Sequence, residues 1–131
     1  MKEKLLAAVD GCSDRIASMA DFIFDHPETA FRETQASGLL ADFLEGEGFV
    51  VERGLGSLPT AFRAVWERGS GGPVLGLLCE YDALEMGHAC AHHLQGPAVA
   101  AAAKAVKDVD GPPVRLVVYG TPAEEGGGGK I

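Results

Sequence analysis

Two apolar runs, Val74-Leu75-Gly76-Leu77-Leu78-Cys79 and Val114-Arg115-Leu116-Val117-Val118-Tyr119, the second interrupted by Arg115 alone, constrain this chain most. Runs of this length without polar alternation read as strands buried on both faces, the habit of parallel sheets covered by helices. The Ala-rich stretch from Pro97 to Val109 lies between them and ends before Asp110-Gly111-Pro112-Pro113. It reads as a helix with Pro97 in its first turn. Strand, helix, strand is a βαβ crossover, because parallel neighbours need a long connection.

The remaining elements fit an α/β chain. Leu5, Val9, Cys12, Ile16, Met19 and Ile23 recur every three or four residues, the stripe of an amphipathic helix ending near His26-Pro27. Ala36, Leu39, Leu40, Phe43 and Leu44 form a second stripe, with Gly46 and Gly48 as its stop. From Phe49 the period shortens: Phe49 to Glu52 and Thr60 to Trp66 read as strands, and Gly69-Ser70-Gly71-Gly72 as a tight hairpin connection to Val74.

Composition excludes several partners. The formal net charge of −8 leaves no basic footprint for nucleic acid. No stretch approaches the roughly 18 apolar residues of a membrane span, and the apolar run at Leu5 to Val9 is too short for a signal peptide. Three widely spaced cysteines, an odd set, suit a reducing compartment, and a cytoplasmic location is expected.

In open α/β sheets the working residues collect beyond the carboxyl ends of the strands. The segment after Cys79 is Glu80-Tyr81-Asp82-Ala83-Leu84-Glu85-Met86-Gly87-His88-Ala89-Cys90-Ala91-His92-His93, with three of the four histidines within six residues. Cys90 and His92, two apart in an extended or turning segment, can point a thiolate and an imidazole at one metal. Taken alone, the pattern better describes surface histidines at a helix entrance around a small buried thiol.

The segment after Tyr119 is Gly120-Thr121-Pro122-Ala123-Glu124-Glu125 followed by four glycines. Adjacent carboxylates repel unless a cation sits nearby, and a divalent metal would leave one Glu as ligand and the other as base. A solvated acidic turn is the plain alternative, and the position at the end of a buried strand favours the site. A phosphate-cradling loop is a poor fit, since no Lys-Ser/Thr follows and both glutamates would repel phosphate.

Taken together, Glu80-Tyr81-Asp82-Ala83-Leu84, Gly87-His88-Ala89-Cys90-Ala91-His92 and the Gly120 to Gly129 segment resemble the M20 metallopeptidase family, in particular its amidohydrolase branch. His26-Pro27-Glu28, Phe31 to Ala36 and Leu58 to Phe62 extend the likeness over nearly the whole chain. The resemblance implies an α/β fold, the N-terminal portion of a phosphorylase/hydrolase-like zinc peptidase catalytic domain over residues 1–131, with a mixed sheet and flanking helices. It implies Cys90 and His92 as metal ligands, Cys90 bridging two ions, Glu125 as a further ligand, Glu124 as general base, and Asp82 as a catalytic-site residue orienting the histidine. Zinc or manganese, one or two ions, fits such mixed donors. The implied reaction is hydrolysis of the amide bond in N-acyl amino acids or dipeptides by metal-activated water.

Four departures stand out. The family's proline after Asp-Ala-Leu is Glu85 here, its glycine between Cys and His is Ala91, and the usual Asn or Asp after that His is His93. The fourth is length. The family carries further ligand histidines and an inserted lid domain through which it forms homo-oligomers, so this chain is expected to be a fragment with little activity alone. A non-catalytic remnant or metal-binding interaction module is the competing expectation. A cysteine hydrolase built on Cys90 is a third and weaker one.

Overall fold

A computed structural model describes residues 1–130. The order is α1 (Lys2–Asp10), α2 (Ser13–Asp25), α3 (Thr34–Gly46), β1 (Val50–Arg53), a one-turn 3-10 helix (Leu55–Ser57), β2 (Phe62–Arg68), β3 (Val74–Cys79), α4 (His92–Asp108) and β4 (Val114–Gly120). The four strands form one mixed sheet in the order β1-β2-β4-β3, with β3 and β4 parallel and the other neighbours antiparallel. This is the α/β architecture expected from the sequence, a mixed sheet with flanking helices. Among the described residues, no helix is long and apolar enough to cross a membrane.

The core forms where helices meet the sheet. Ile23 from α2, Leu40 and Leu44 from α3, Ala100 and Ala103 from α4, and Phe62, Ala64, Leu116 and Val118 from the sheet are all buried in one cluster. Alternate residues of β2 and β4 enter it, as the two-residue period of a strand requires.

Local readings are revised in four places. The N-terminal stripe is carried by two helices, because the chain turns at Gly11-Cys12 before Ser13-Asp14 starts α2. Glycine is a poor helix former, and Ser and Asp favour a fresh helix start. Helix α4 begins at His92, not near Pro97, so Pro97 lies inside it and is buried. Gly69 to Gly72 is no hairpin turn, since β4 inserts between β2 and β3. Finally, β3 is an edge strand with Val74, Leu75 and Leu78 exposed, although its apolar run suggested burial on both faces.

Two close approaches fix the upper end of the sheet. A Cβ on Gly120 would lie 2.2 Å from the Phe62 ring, its antiparallel partner in the register. A Cβ on Gly96 would lie 2.7 Å from the Glu80 carbonyl oxygen, so glycine lets α4 pack against the end of β3. Gln95 completes that junction: its side-chain oxygen accepts from the Glu80 amide at 2.7 Å and its nitrogen donates to the Leu78 carbonyl at 3.0 Å.

Candidate metal centre

The carboxyl ends of β3 and β4 lie side by side, Cys79 opposite Gly120, so the segments that follow them meet above the sheet edge. The β3 segment delivers Glu80 and Asp82, turns through Gly87 to Cys90, and enters α4 at His92. The β4 segment delivers Glu124 and Glu125. All five residues singled out from the sequence, Asp82, Cys90, His92, Glu124 and Glu125, come together here.

Asp82 is fully buried and organises both segments. One carboxylate oxygen accepts from Nδ1 of His92 at 2.9 Å, and the other accepts from the Glu125 amide at 2.9 Å. An ionised carboxylate only accepts, so this contact is made with the proton on Nδ1 and turns Nε2 toward the neighbouring carboxylates. The Asp82 carbonyl adds a second acceptor for Nδ1 at 3.1 Å and lies 3.7 Å from the Cys90 sulfur.

Around Nε2 of His92 the carboxylates of Glu80, Glu124 and Glu125 stand at 3.2, 3.7 and 3.9 Å. Two donor sets share this histidine: Cys90, His92 and Glu125, and Glu80, His92 and Glu124, each with ligand atoms within 4.8 Å of one another. Thiolate, imidazole and carboxylate around one point suit a borderline divalent ion such as zinc, and the carboxylate-rich set tolerates a harder one such as manganese. The residues therefore fit the metal that the sequence suggested. Lys130 supplies a positive charge to the cluster, donating to Glu80 at 2.6 Å and Glu124 at 3.2 Å, and these contacts raise its pKa.

Burial raises the Cys90 thiol pKa above its ordinary value. The His92 backbone amide opposes the shift and the Glu125 carboxylate adds to it. Without a cation, the thiolate is disfavoured. An ion at this position would reverse that balance, because coordination requires the deprotonated sulfur.

Three residues of the site carried no assignment from sequence. Glu80 joins the second donor set. Lys130 bridges two acids across 50 and 6 residues of chain. Glu33, fully buried, receives the Phe31 amide at 2.9 Å, the Thr60 hydroxyl at 3.0 Å and the Ala123 amide at 2.8 Å. It thereby ties the start of α3 to the loop carrying Glu124. An acid just before a helix reads from sequence as an ordinary exposed cap, and only the distant partners reveal its position.

The departures also find places. Ala91 adopts φ 68° and ψ 21°, the left-handed conformation that glycine favours, so the residue standing where the resemblance implied glycine keeps glycine's backbone. His93 belongs to neither donor set. Its ring packs against Phe24 and His88 instead, with centroids 5.0 and 5.4 Å apart.

The chain is 42% identical to one component of the p-aminobenzoyl-glutamate hydrolase of Escherichia coli, over 94% of this chain and 30% of that protein. It is 41% identical to human Xaa-Arg dipeptidase, over the whole chain and 34% of the dipeptidase. A dinuclear metal-binding peptidase of the M20 family from Bacillus subtilis superimposes with a TM-score of 0.74 at 21% identity, over 88% of this chain and 36% of that one. The chain is therefore related over its own length to these hydrolases, and its fold is that of an M20 peptidase. No protein-family model matches it.

The chain spans about a third of the length of the curated relatives it matches. The solved M20 peptidase shares its fold, a mixed sheet with helices packed on it.

Proposed function

We propose that this chain belongs to the M20 family and supplies the metal-ligating and acid–base residues of an amidohydrolase that cleaves N-acyl amino acids or dipeptides. The observation that carries the reading is the convergence of Cys90, Glu80, Glu124 and Glu125 on His92, whose orientation Asp82 fixes. The names of the relatives, a hydrolase of an acylated glutamate and a dipeptidase, support the substrate class.

Cys90, His92 and Glu125 would hold one divalent ion, zinc or manganese, with Glu80, His92 and Glu124 as an alternative set around the same imidazole, and a second ion would be shared through Cys90. When bound, such an ion acidifies a water molecule and polarises the scissile carbonyl. Asp82 keeps Nε2 of His92 aimed at the site and pins the Glu125 backbone. Glu124, partly exposed and held by Lys130, takes the proton of the attacking water and returns it to the leaving amine. On this reading, further residues of a longer polypeptide complete the substrate pocket and the oligomer contacts. A cytoplasmic site of action goes with the reduced state of the Cys90 ligand.

The test is release of free amino acid from a panel of dipeptides and N-acyl amino acids by the longer polypeptide that carries this chain, with zinc or manganese added. Turnover should vanish with a chelator and fall by about 10²-fold or more in Glu124→Gln. Metal binding without any turnover would select the non-catalytic reading instead.

A further inference from the structure

Among the described residues, the buried side-chain nitrogen and oxygen atoms without a hydrogen-bond partner are Nδ1 and Nε2 of His88 and Nδ1 of His93. All three belong to two neighbouring rings. Buried polar groups are nearly always satisfied, so a cluster of orphans points to a ligand that the protein atoms do not supply. His88 is 6% exposed and cannot turn to bulk water for a partner.

The two rings are placed like ligands of one ion. Their centroids are 5.4 Å apart and their planes are inclined by 57°, which is not a stack. Two imidazoles on one tetrahedral zinc, with Zn–N of about 2.0–2.1 Å, would have centroids roughly 5 Å apart. Separate parts of the chain hold this arrangement. His88 sits in the turn whose carbonyl accepts from the Ala91 amide at 3.2 Å. His93 sits in the first turn of α4, with Phe24 of α2 against its ring.

The orphan atoms are all imidazole nitrogens, which selects zinc, nickel or copper over magnesium or calcium. His93 is only partly buried, so water can reach the remaining coordination positions.

We propose that His88 and His93 form a second, two-imidazole site for a borderline divalent transition metal, distinct from the Cys90, His92, Glu125 centre. The two sites share no ligand, so this inference stands apart from the proposed hydrolytic function. His93 departs from the Asn or Asp that the family resemblance implied at this position, and the departure creates the second imidazole.

The test is nickel titration of the whole chain by calorimetry in a His92→Gln background, which removes the ligand common to both donor sets of the main centre. We expect His92→Gln to bind nickel, and His92→Gln/His93→Asn to bind it at least tenfold more weakly, with unchanged far-ultraviolet circular dichroism. Copper(II) resonance spectra of the His92→Gln chain should show coupling to two imidazole nitrogens, reduced to one by His93→Asn. His88→Gln should repeat the loss, and because His88 is buried, the partly exposed His93 decides if that variant unfolds. Failure of His92→Gln to bind nickel, or equal affinity with and without His93, would overturn the proposal.

Discussion

Asp82 and His92 form the central relationship of the site: one carboxylate oxygen lies 2.9 Å from Nδ1 of His92 while the other, also at 2.9 Å, holds the Glu125 amide. A single buried carboxylate thus sets the orientation of one candidate ligand and the backbone position of another. Asp82→Ala leaves the Glu125 amide without an acceptor, at a cost of about 1–3 kcal/mol, and leaves Nδ1 of His92 with only the backbone carbonyl of residue 82. Metal affinity should fall about 10–100-fold, as is usual when the partner of a ligating histidine is lost. Competition with a colorimetric zinc chelator reads the affinity, and urea unfolding reads the stability.

Ala91 carries backbone strain next to the ligands. At φ 68° an alanine is disfavoured by about 1–2 kcal/mol, part of which glycine gives back through its larger unfolded-state freedom. Ala91→Gly should therefore stabilise the fold by about 0.5–1 kcal/mol and leave metal affinity equal or tighter. An upward shift of the urea midpoint with an unchanged slope would show it.

Glu33 is a positioning residue rather than a ligand. Glu33→Ala strands the Phe31 and Ala123 amides and the Thr60 hydroxyl, and should destabilise the chain by about 3 kcal/mol or more. Glu33→Gln keeps one acceptor oxygen and should recover part of that loss. Hydrogen exchange at the Ala123 amide gives a local readout, with protection lost in Glu33→Ala and partly restored in Glu33→Gln.

Much of this site was legible because its donors are close in sequence or stand at strand ends. Cys90 and His92 are two residues apart, Glu124 and Glu125 are adjacent, and both groups follow apolar runs that announce themselves as strands. What stayed hidden depends on partners far along the chain. Glu33 meets Ala123 across 90 residues, and Lys130 meets Glu80 across 50, distances at which no local pattern survives. The fold shows the same division. The β3-α4-β4 crossover was readable, but the place of β4 between β2 and β3, which leaves the apolar β3 on an edge, follows from pairing choices that each strand's own residues do not encode.

Burial makes the chain sensitive to alkali. Desolvation raises the pKa of Cys79 and of Tyr81 well above their ordinary values, with the nearby acids adding to it. A folded pKa raised above the unfolded one contributes stability that is complete below the unfolded value and lost as pH rises beyond it. Stability should decline from about pH 9, the ordinary thiol value, by up to about 1.4 kcal/mol per pH unit for each group that ionises only on unfolding. Replacing Cys79 with Ala should flatten the first part of that decline, measured as urea midpoint against pH between about 8 and 11.

The metal site is tested most directly by the metal content of the purified chain after equilibration with zinc, by elemental analysis, in the wild type and in Cys90→Ala, Glu125→Ala and His92→Gln. Each variant should hold about one equivalent less than the wild type, because each removes a donor from the same centre. A wild-type chain without bound zinc, or variants that retain the full complement, would contradict the claim that these residues form a metal site.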